Sequence, residues 1–359
     1  MDLSYFLPNS SIIGSEFINK RSDIAIPYMI IMVTAIFVGT VGNILAIGAV
    51  LINKHLKTIG NIFIVNLAIA DLSVSGFVNV FSIIGLVYGE KWFLERKGIC
   101  EAVGSICLTA CLASLLSIGA ISLNRYFHIV QRNLHNKIYT LRNTIGMIIL
   151  LWTICFLLEM PNFDFINWNN HSFDKKSMTC LWDRTYAHSY SIFFITVGVV
   201  FPIILIAFCY LKIFLHVRQA KRRIMAAKKG QEAVESASAE REKRNSMRLA
   251  RTLFVIFVVF ASCWLPYGAV ILYDKDDKLP LEVHVFVLII AHFNSSCNSI
   301  LYGVMNKHFR QSYVQLLGIH HLAYHMCKVR MYSYKHEERD AQSTVMTNNK
   351  ISQKTFIKS

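Results

Sequence analysis

Seven apolar stretches constrain this chain more than any other feature of its sequence. A helix needs about 20 residues to cross the roughly 30 Å hydrocarbon core of a bilayer. Only helices and closed barrels satisfy their backbone in lipid, and these stretches lack the alternation typical of barrel strands. We predict an all-α membrane protein, a seven-transmembrane helix bundle. The predicted spans are Ile24–Ile52, Asn61–Tyr88, Gly98–Val130, Thr144–Met160, Ser189–His216, Thr252–Tyr273 and Leu281–Val304.

The basic residues predict how the chain crosses the membrane. Of the 37 lysines and arginines, 27 lie in the tail, in the loops joining spans one to two, three to four and five to six, or in the ends of the spans next to those loops. Cytoplasmic loops carry such an excess, so residues 1–23 are predicted to be an extracellular N-terminus. The net charge of +15 therefore faces the inner leaflet and cytoplasmic partners, and it does not indicate nucleic-acid binding.

The rest of the chain is organised as one domain with appendages. Residues 24–304 are the predicted transmembrane domain. The segment 305–317 places Phe309 and Tyr313 opposite basic residues, which predicts a short amphipathic eighth helix on the membrane surface. Residues 318–359 are polar, and we predict a disordered cytoplasmic tail with phosphorylation sites. The loop between spans five and six is predicted to extend both spans as charged helices.

Extracellular cysteines predict a covalent tie. Of nine cysteines, only Cys100, at the outer end of span three, and Cys180, in the loop after span four, lie on the predicted outside. Thiols pair in an oxidising compartment, so a Cys100–Cys180 disulfide would pin that loop over the bundle. Two Asn-x-Ser triplets, at Asn9 and Asn170, also lie outside and are predicted glycosylation sites.

Polar side chains inside the spans are few, and several share one depth. An acid at that depth needs partners or a cation. A cage for a sodium ion that rearranges on activation and a static hydrogen-bond network both account for the pattern. No other cofactor is expected. The candidate cage residues are Asn43, Asp71, Ser114, Asn294 and Asn298.

A permanent charge, Arg125, closes the third span within Asn124-Arg125-Tyr126. Such a charge is costly at membrane depth and marks a functional position. In span six, Pro266 frees a backbone carbonyl and permits a kink, and Trp264 lies beside it. Ligand contact at Trp264 would tilt the inner half of the span; simple packing of the indole is the alternative.

Together these features resemble the rhodopsin-like (class A) G-protein-coupled receptors across roughly Pro27–Leu317. The resemblance implies a sodium site around Asp71 and an activation relay of Arg125, Tyr210 and Tyr302. It also implies a plasma-membrane location, a small-molecule agonist outside, a heterotrimeric G protein of the inhibitory class inside, and arrestin and receptor kinases at the tail. The matching segments are Gly42-Asn43, Asn66–Asp71, Asn124-Arg125-Tyr126, Cys263–Pro266 and Asn298–Tyr302.

Two departures from the commonest class A pattern narrow the group. Many members have an acid before the arginine and a proline after the span-seven asparagine, where this chain has Asn124 and Ser299. Melatonin receptors also have the asparagine and lack that proline, and the chain resembles them at further segments. Those segments are Met160-Pro161-Asn162, Ala187–Ile192, His292–Ser295 and Met346–Asn349.

The same resemblance implies a ligand pocket with several changes. Asn162 matches the asparagine that holds the methoxy oxygen of melatonin, and Trp182 stands where an aromatic ring stacks on the indole. Arg184, Gly198 and Gly268 replace a glutamine, a histidine and an asparagine. We therefore expect melatonin to bind weakly or not at all. The other pocket residues implied are Gly104, Cys107, Cys111, Glu159, Phe194, Trp264, Tyr267 and His292.

Glu159 is an acid within span four, close to Asn162 on one helical face. An intramembrane acid is a functional hypothesis by default. Three interpretations are open: an ion pair with Arg184, receipt of a basic ligand group, or a protonated carboxyl hydrogen-bonded to another helix.

The restraints that usually hold the arginine are missing. Asn124 cannot form an acid clamp on Arg125, and Ser246 stands on span six where many relatives carry a second acid. The inactive state must then rest on packing and hydrogen bonds. We expect measurable basal activity.

Other functions fit less well. An opsin needs a lysine in span seven where His292 stands, and an amine receptor normally has an acid in span three, where Cys107 and Cys111 lie. Glu159 alone supports an amine ligand, and a lipid ligand stays an alternative. A transporter would show inverted repeats or paired broken helices, and neither is apparent in this sequence. The histidine and cysteine cluster at 320–327 imitates a metal site in the predicted tail, and no enzyme function is indicated.

Overall fold

The computed structural model describes the backbone of residues 17–227 and 236–318. It describes the side chains of these residues except for those of residues 220–253. Seven helices in that part are long and apolar enough to cross a membrane, which confirms the predicted fold class. Short helices are Arg132–Ile138 and Lys307–Leu316. The spans, one to seven, are Ser22–Ile52; Ile59–Ser73, Val74–Val78 and Asn79–Leu94; Lys97–Val130; Leu141–Glu159 with Met160–Asn162; His188–Phe193, Phe194–Val200 and Phe201–Ala227; Ser236–Tyr273; and Leu281–Met305.

On the predicted cytoplasmic side, spans five and six continue beyond the apolar stretches. The fifth span is helical to Ala227 and the sixth from Ser236, so the predicted charged extensions are confirmed. The predicted eighth helix is also present, at Lys307–Leu316. Two π-helical turns, Val74–Val78 and Phe194–Val200, were not predicted. Residues 1–16 and 319–359, and with them Asn9 and most of the predicted tail, lie outside the described residues.

Span three is the centre of the bundle. It packs against spans two, four and five and against the extracellular hairpin. Of its most apolar segment 72% is buried, compared with 22% for span four. Large apolar side chains such as Phe37, Ile149 and Phe156 are exposed instead on the outer faces of spans one and four. That distribution suits a bundle whose outer surface contacts lipid, where apolar side chains cost nothing to expose.

The loop between spans four and five folds into an antiparallel hairpin. Strand β1, His171–Asp174, pairs with β2, Thr179–Trp182, so that His171 is opposite Trp182. The predicted disulfide is present: Cys100 bonds to Cys180, with 5.3 Å between their Cα atoms. It fixes β2 to the outer end of span three. The hairpin is therefore held over the end of the bundle that is predicted to face outside.

Small residues let spans one, two and seven approach closely. A Cβ at Gly39 would lie 2.6 Å from the Cβ of Ser75 and 2.8 Å from Oγ of Ser296. Oγ of Ser296 donates to the backbone oxygen of Ala35 at 2.9 Å, which joins span seven to span one. Close approach of small residues with interhelical hydrogen bonds is a usual means of association in lipid, where helices gain no hydrophobic driving force.

Candidate ligand pocket and signalling core

The structure brings two of the predicted cage residues, Ser114 and Asn298, into contact with Asp71. Oγ of Ser114 donates to one carboxylate oxygen at 2.8 Å, and Nδ2 of Asn298 donates to the other at 2.7 Å. Asn43 lies one step away and donates to the backbone oxygen of Ser295 at 2.9 Å. These side chains are almost completely buried, and Asp71 has no exposed surface. Spans one, two, three and seven thus meet at one buried acid.

The donor set of this cage suits a small hard cation. Among the described residues, Oδ1 of Asn294 and Oδ1 of Asn298 are buried and accept no hydrogen bond. Hard cations prefer carboxylate, amide and hydroxyl oxygens, and burying an unneutralised carboxylate is expensive. A static network explains the two bonds to Asp71 but leaves those two amide oxygens unsatisfied. The residues therefore fit a sodium ion.

At the predicted cytoplasmic end, Arg125 is buried without an acidic partner among the described side chains. Its side chain is 9% exposed, and among the described side chains no carboxylate lies within ion-pair distance and Nε has no hydrogen-bond partner. Asn124 instead approaches His135 of the short helix after span three, with 3.2 Å between Nδ2 and Nε2. Gly60 of span two accommodates this pair, since a Cβ there would lie 2.7 Å from Oδ1 of Asn124.

The other residues implied in coupling lie nearby on three spans. Tyr126 is half-buried and its hydroxyl accepts from Gln131 at 3.3 Å. Tyr210 is buried, packs on Phe257 at 6.0 Å between ring centroids, and has no described partner for its hydroxyl. Tyr302 stacks on Phe309 at 5.0 Å. Their roles in activation stay predictions, and the side chain of Ser246 lies outside those described.

The predicted pocket contains a group of aromatic rings under the hairpin. Trp182 of β2 packs against Phe194 at 5.2 Å and edge-on against Tyr267 at 6.0 Å. Tyr267 in turn meets Trp264 edge-on at 5.7 Å. Such rings offer a broad apolar surface to a flat ligand. We call these four rings the aromatic pocket.

Thiol and imidazole groups lie on the span-three and span-seven side of this pocket. Sγ of Cys107 is 3.7 Å from Nε2 of His292, and Cys111 lies one turn below Cys107. The two glycines are used for helix packing. A Cβ at Gly198 would lie 2.9 Å from Leu112, and one at Gly268 would lie 3.5 Å from Ile195.

Glu159 does not pair with Arg184 in this structure. Its Oε1 contacts Nε2 of His171 on β1 at 2.6 Å, and its Oε2 accepts from Nδ2 of Asn162 at 3.0 Å. Asn162 also donates to the hydroxyl of Tyr190 at 2.6 Å, and its oxygen accepts from Asn169 at 2.9 Å. The sequence offered no sign of His171 beyond its place inside the Asn170 triplet.

Arg184 belongs to an ion cluster that joins the loop after span four to the loop after span six. It pairs with Asp277, and its Nε is 3.4 Å from Asp174. Lys176 reaches Asp277 at 2.7 Å, and His284 contacts Asp274 at 2.8 Å. Burial raises the pKa of Asp274, but hydrogen bonds from the backbone of Leu279, from His284 and from the backbone of Lys278 outweigh it, so that the pKa is lowered. The ion pairs therefore tie the two loops to each other.

The lowered pKa values predict how this cluster responds to acid. For Asp277, hydrogen bonds from Lys176 and Arg184 likewise outweigh burial and lower the pKa. A carboxyl group whose pKa is lower in the folded state stabilises the fold at pH values above its unfolded pKa of about 4. That stabilisation is lost as the pH falls from there through the folded-state pKa. We expect the melting temperature to hold from neutral pH to about pH 5 and to fall below about pH 4. Asp277→Asn should show a smaller fall, measured by thermal unfolding in nanodiscs. Asp164→Asn, at an acid whose side chain is 81% exposed, is the control, and an equal acid response in both variants would contradict the assignment.

The loop after span four also carries one of the two predicted glycosylation sites. Asn170 precedes β1 and is half-buried, and its backbone oxygen accepts from the amide of Asp183 at 2.8 Å. Glycosylation at this site stays a prediction.

Comparison with known proteins agrees with this architecture. Residues 42–302 match the family model of the 7 transmembrane receptors (rhodopsin family). A melatonin receptor type 1B-B of Danio rerio is 31% identical over 293 residues, which cover 80% of each chain. The melatonin receptor type 1B of Homo sapiens is 30% identical over 299 residues, covering 82% of this chain and 78% of that one. The crystal structure of squid rhodopsin shares the fold, with a TM-score of 0.71 at 22% identity over 82% of this chain and 86% of that one. The chain therefore belongs to the rhodopsin family of seven-transmembrane receptors, as a signalling receptor rather than an enzyme, and to its melatonin-receptor-like branch.

Proposed function

We propose that this receptor binds a compact small molecule beneath the second extracellular loop, with its N-terminus outside, and activates a heterotrimeric G protein of the inhibitory class. The observation that carries the proposal is Arg125, buried at the cytoplasmic end with no acidic partner among the described side chains. A buried guanidinium without a counter-ion is costly to maintain. That cost is explained if the group serves a partner that reaches it from the cytoplasm.

The ligand acts through the aromatic pocket. An agonist that contacts Trp264 biases the kink at Pro266, which lies inside the sixth helix, toward an arrangement with the inner half of that helix displaced. Arg125 then becomes accessible, and the basic loop between spans five and six engages the G protein. No covalent chemistry is involved, because a ligand shifts the equilibrium only by its differential affinity for the two arrangements.

Sodium is the proposed allosteric ion of the Asp71 cage. Bound there, it would neutralise the buried carboxylate. Asp71, Ser114 and the amide oxygens of Asn294 and Asn298 would hold it, and their arrangement couples span two to span seven. Arrestin and receptor kinases are further proposed partners, on the basis of serines and threonines at Ser343–Thr355, beyond the described residues.

An amine ligand is not favoured. In the described pocket the one intramembrane acid, Glu159, already accepts from His171 and Asn162. A ligand amine would have to break both contacts before it could pair with the carboxylate.

Basal nucleotide exchange tests the proposal. Purified receptor in nanodiscs should accelerate GDP release from an inhibitory G protein without any agonist, relative to empty nanodiscs. Asn124→Asp should lower that rate about tenfold, because an acid beside Arg125 supplies the missing ion pair and a bias of about 1.4 kcal/mol changes a population by that factor. A stimulatory G protein is the control. Exchange at the empty-nanodisc level, or on the stimulatory protein alone, would overturn the proposal.

A further inference from the structure

The corner of the pocket between spans three and four is filled by a side chain of the receptor itself. The imidazole of His171 lies directly on Gly104, where a Cβ would overlap its ring. On the opposite side it contacts Glu159 at 2.6 Å, and Ser105 lies 3.4 Å from the same ring nitrogen. Both members of the pair are buried, with side-chain exposures of 1% for His171 and 0% for Glu159. Glycine at position 104 is thus the residue type that leaves room for the ring.

The polar side-chain atoms of Glu159 and Asn162 have their partners within the chain. Each carboxylate oxygen of Glu159 is bonded, one to His171 and one to Asn162. The amide of Asn162 is used at both ends, by Tyr190 and Asn169. A ligand group entering the corner would displace a buried partner and leave it unsatisfied, which weakens binding.

The hairpin delivers the imidazole to this place. Directly opposed residues on paired strands project to the same face of the sheet, and His171 is opposed to Trp182. Trp182 belongs to the aromatic pocket, and the neighbouring Cys180 is covalently held to span three. The side chain of His171 is therefore held toward the aromatic pocket by a hairpin that the disulfide fixes to span three.

Unsatisfied polar groups lie on other walls of the pocket. In the described structure, Nε1 of Trp264 and Nδ1 of His292 are buried and have no hydrogen-bond partner. The indole nitrogen is a donor only. In the tautomer in which Nε2 of His292 accepts from the Cys107 thiol, Nδ1 is a donor too. A ligand acceptor would satisfy these groups, and a buried donor that gains its partner contributes to affinity.

We propose that His171 is a specificity-determining residue that occupies the span-four corner. The receptor therefore takes compact aromatic ligands that carry one hydrogen-bond acceptor and no substituent on the ring edge that faces this corner. The proposal deepens the proposed function and rests on it. A ligand whose acceptor lies toward His292 on span seven directs its opposite ring edge toward span four. There it meets the imidazole instead of an open niche.

Two probes that differ by one substituent test this. Melatonin carries an acetamide acceptor at one end and a ring methoxy group at the other, and N-acetyltryptamine is the same molecule without the methoxy group. The readout is the probe concentration that gives half-maximal thermal stabilisation of the full-length receptor in nanodiscs. In wild type the shorter probe should act at about tenfold lower concentration, the scale on which a pocket discriminates one small group.

Two variants should remove that discrimination. His171→Gly empties the corner, and the ratio between the probes should fall to about one. Millimolar imidazole should restore discrimination in this variant, because the free ring refills the niche between Gly104 and Glu159, and should leave wild type unchanged. Gly104→Ala displaces the imidazole by steric overlap and keeps Glu159 and His171. Lys175→Ala, at a residue of the same hairpin whose side chain is 72% exposed, is the control, and discrimination should persist.

Each other outcome overturns the proposal. These outcomes are equal potency of the probes in wild type, unchanged discrimination in both corner variants, no effect of imidazole on His171→Gly, or failure of both probes to stabilise any form. Basal nucleotide exchange measured on the same preparations separates this failure from failure of the proposed function. A receptor that exchanges nucleotide normally but shows no corner effect would refute only the role of His171.

Discussion

Replacing Arg125 with alanine should abolish G-protein activation while leaving ligand affinity largely unchanged. The guanidinium is buried at the cytoplasmic end, and the aromatic pocket lies toward the extracellular end of the same bundle. Truncating a central arginine anchor of an interface costs about 2 kcal/mol or more, which is roughly a thirtyfold loss or greater. GDP release from an inhibitory G protein should therefore fall to the level of empty nanodiscs.

This variant should also fold at least as well as wild type. Arg125 has no counter-ion among the described side chains and an unpartnered Nε, so its removal relieves a buried charge instead of breaking a pair. The melting temperature should stay level or rise, which separates lost coupling from lost structure. Arg142→Ala, at an exposed arginine at the start of span four, is the charge-matched control and should couple normally. Undiminished exchange by Arg125→Ala would refute the role of this residue.

Replacing Asp71 with asparagine should abolish stabilisation by sodium. A ligand present at about ten times its dissociation constant stabilises the folded protein by about 1.4 kcal/mol, which wild type should gain and the variant should not. Without sodium the variant should be more stable than wild type. Its neutral amide buries no charge, whereas the wild-type carboxylate is held only by the neutral donors Ser114 and Asn298. Thermal unfolding in sodium chloride against choline chloride at equal ionic strength measures both effects.

A charge-matched control exists on span one. Asp23 is exposed and pairs with Arg21 at 3.2 Å, so Asp23→Asn removes the same charge away from the cage. Its response to sodium should equal that of wild type. An Asp71→Asn variant that keeps the full response would mean that the cage is a static hydrogen-bond network.

The Asp71 cage was predictable from the sequence because the position of a residue within a helical span determines its depth in the membrane. Asp71, Ser114 and Asn298 lie at matching depths of three apolar stretches, and the structure joins them by two hydrogen bonds. The Cys100–Cys180 disulfide was predictable by compartment, since the remaining cysteines fall within spans or on the predicted inner side. In both cases the bilayer restricts the possible partners before any packing is known.

The extracellular loops were harder to predict because their contacts come from residues far apart in sequence and free of periodicity. Arg184 was implied in the pocket by its position after Trp182, but partners from another loop, among them Asp277, draw it into the ion cluster. Glu159 was correctly recognised as unusual, and its partner His171 was missed, because only the hairpin register brings that residue to span four.

The π-helical turns were missed for a different reason. Val74–Val78 and Phe194–Val200 are apolar segments with ordinary helical composition. The wider turn adds a residue to the backbone path without changing the hydrophobic pattern, and such turns often occur at functional sites. The second of them contains Phe194 of the aromatic pocket.

The unbroken sixth helix has a mechanical consequence. It runs from Ser236 to Tyr273 with Pro266 near its outer end. At about 1.5 Å per residue, the arm on the cytoplasmic side of that proline is about 45 Å long, so a rotation of about 10° at the kink carries its far end about 8 Å. A displacement of a few tenths of an ångström at Trp264, close to the pivot, is thereby magnified many times at the inner surface. Under the proposed mechanism the helix would act as a lever with very unequal arms, so that a small displacement beside the ligand would produce a large one at the end that meets the G protein.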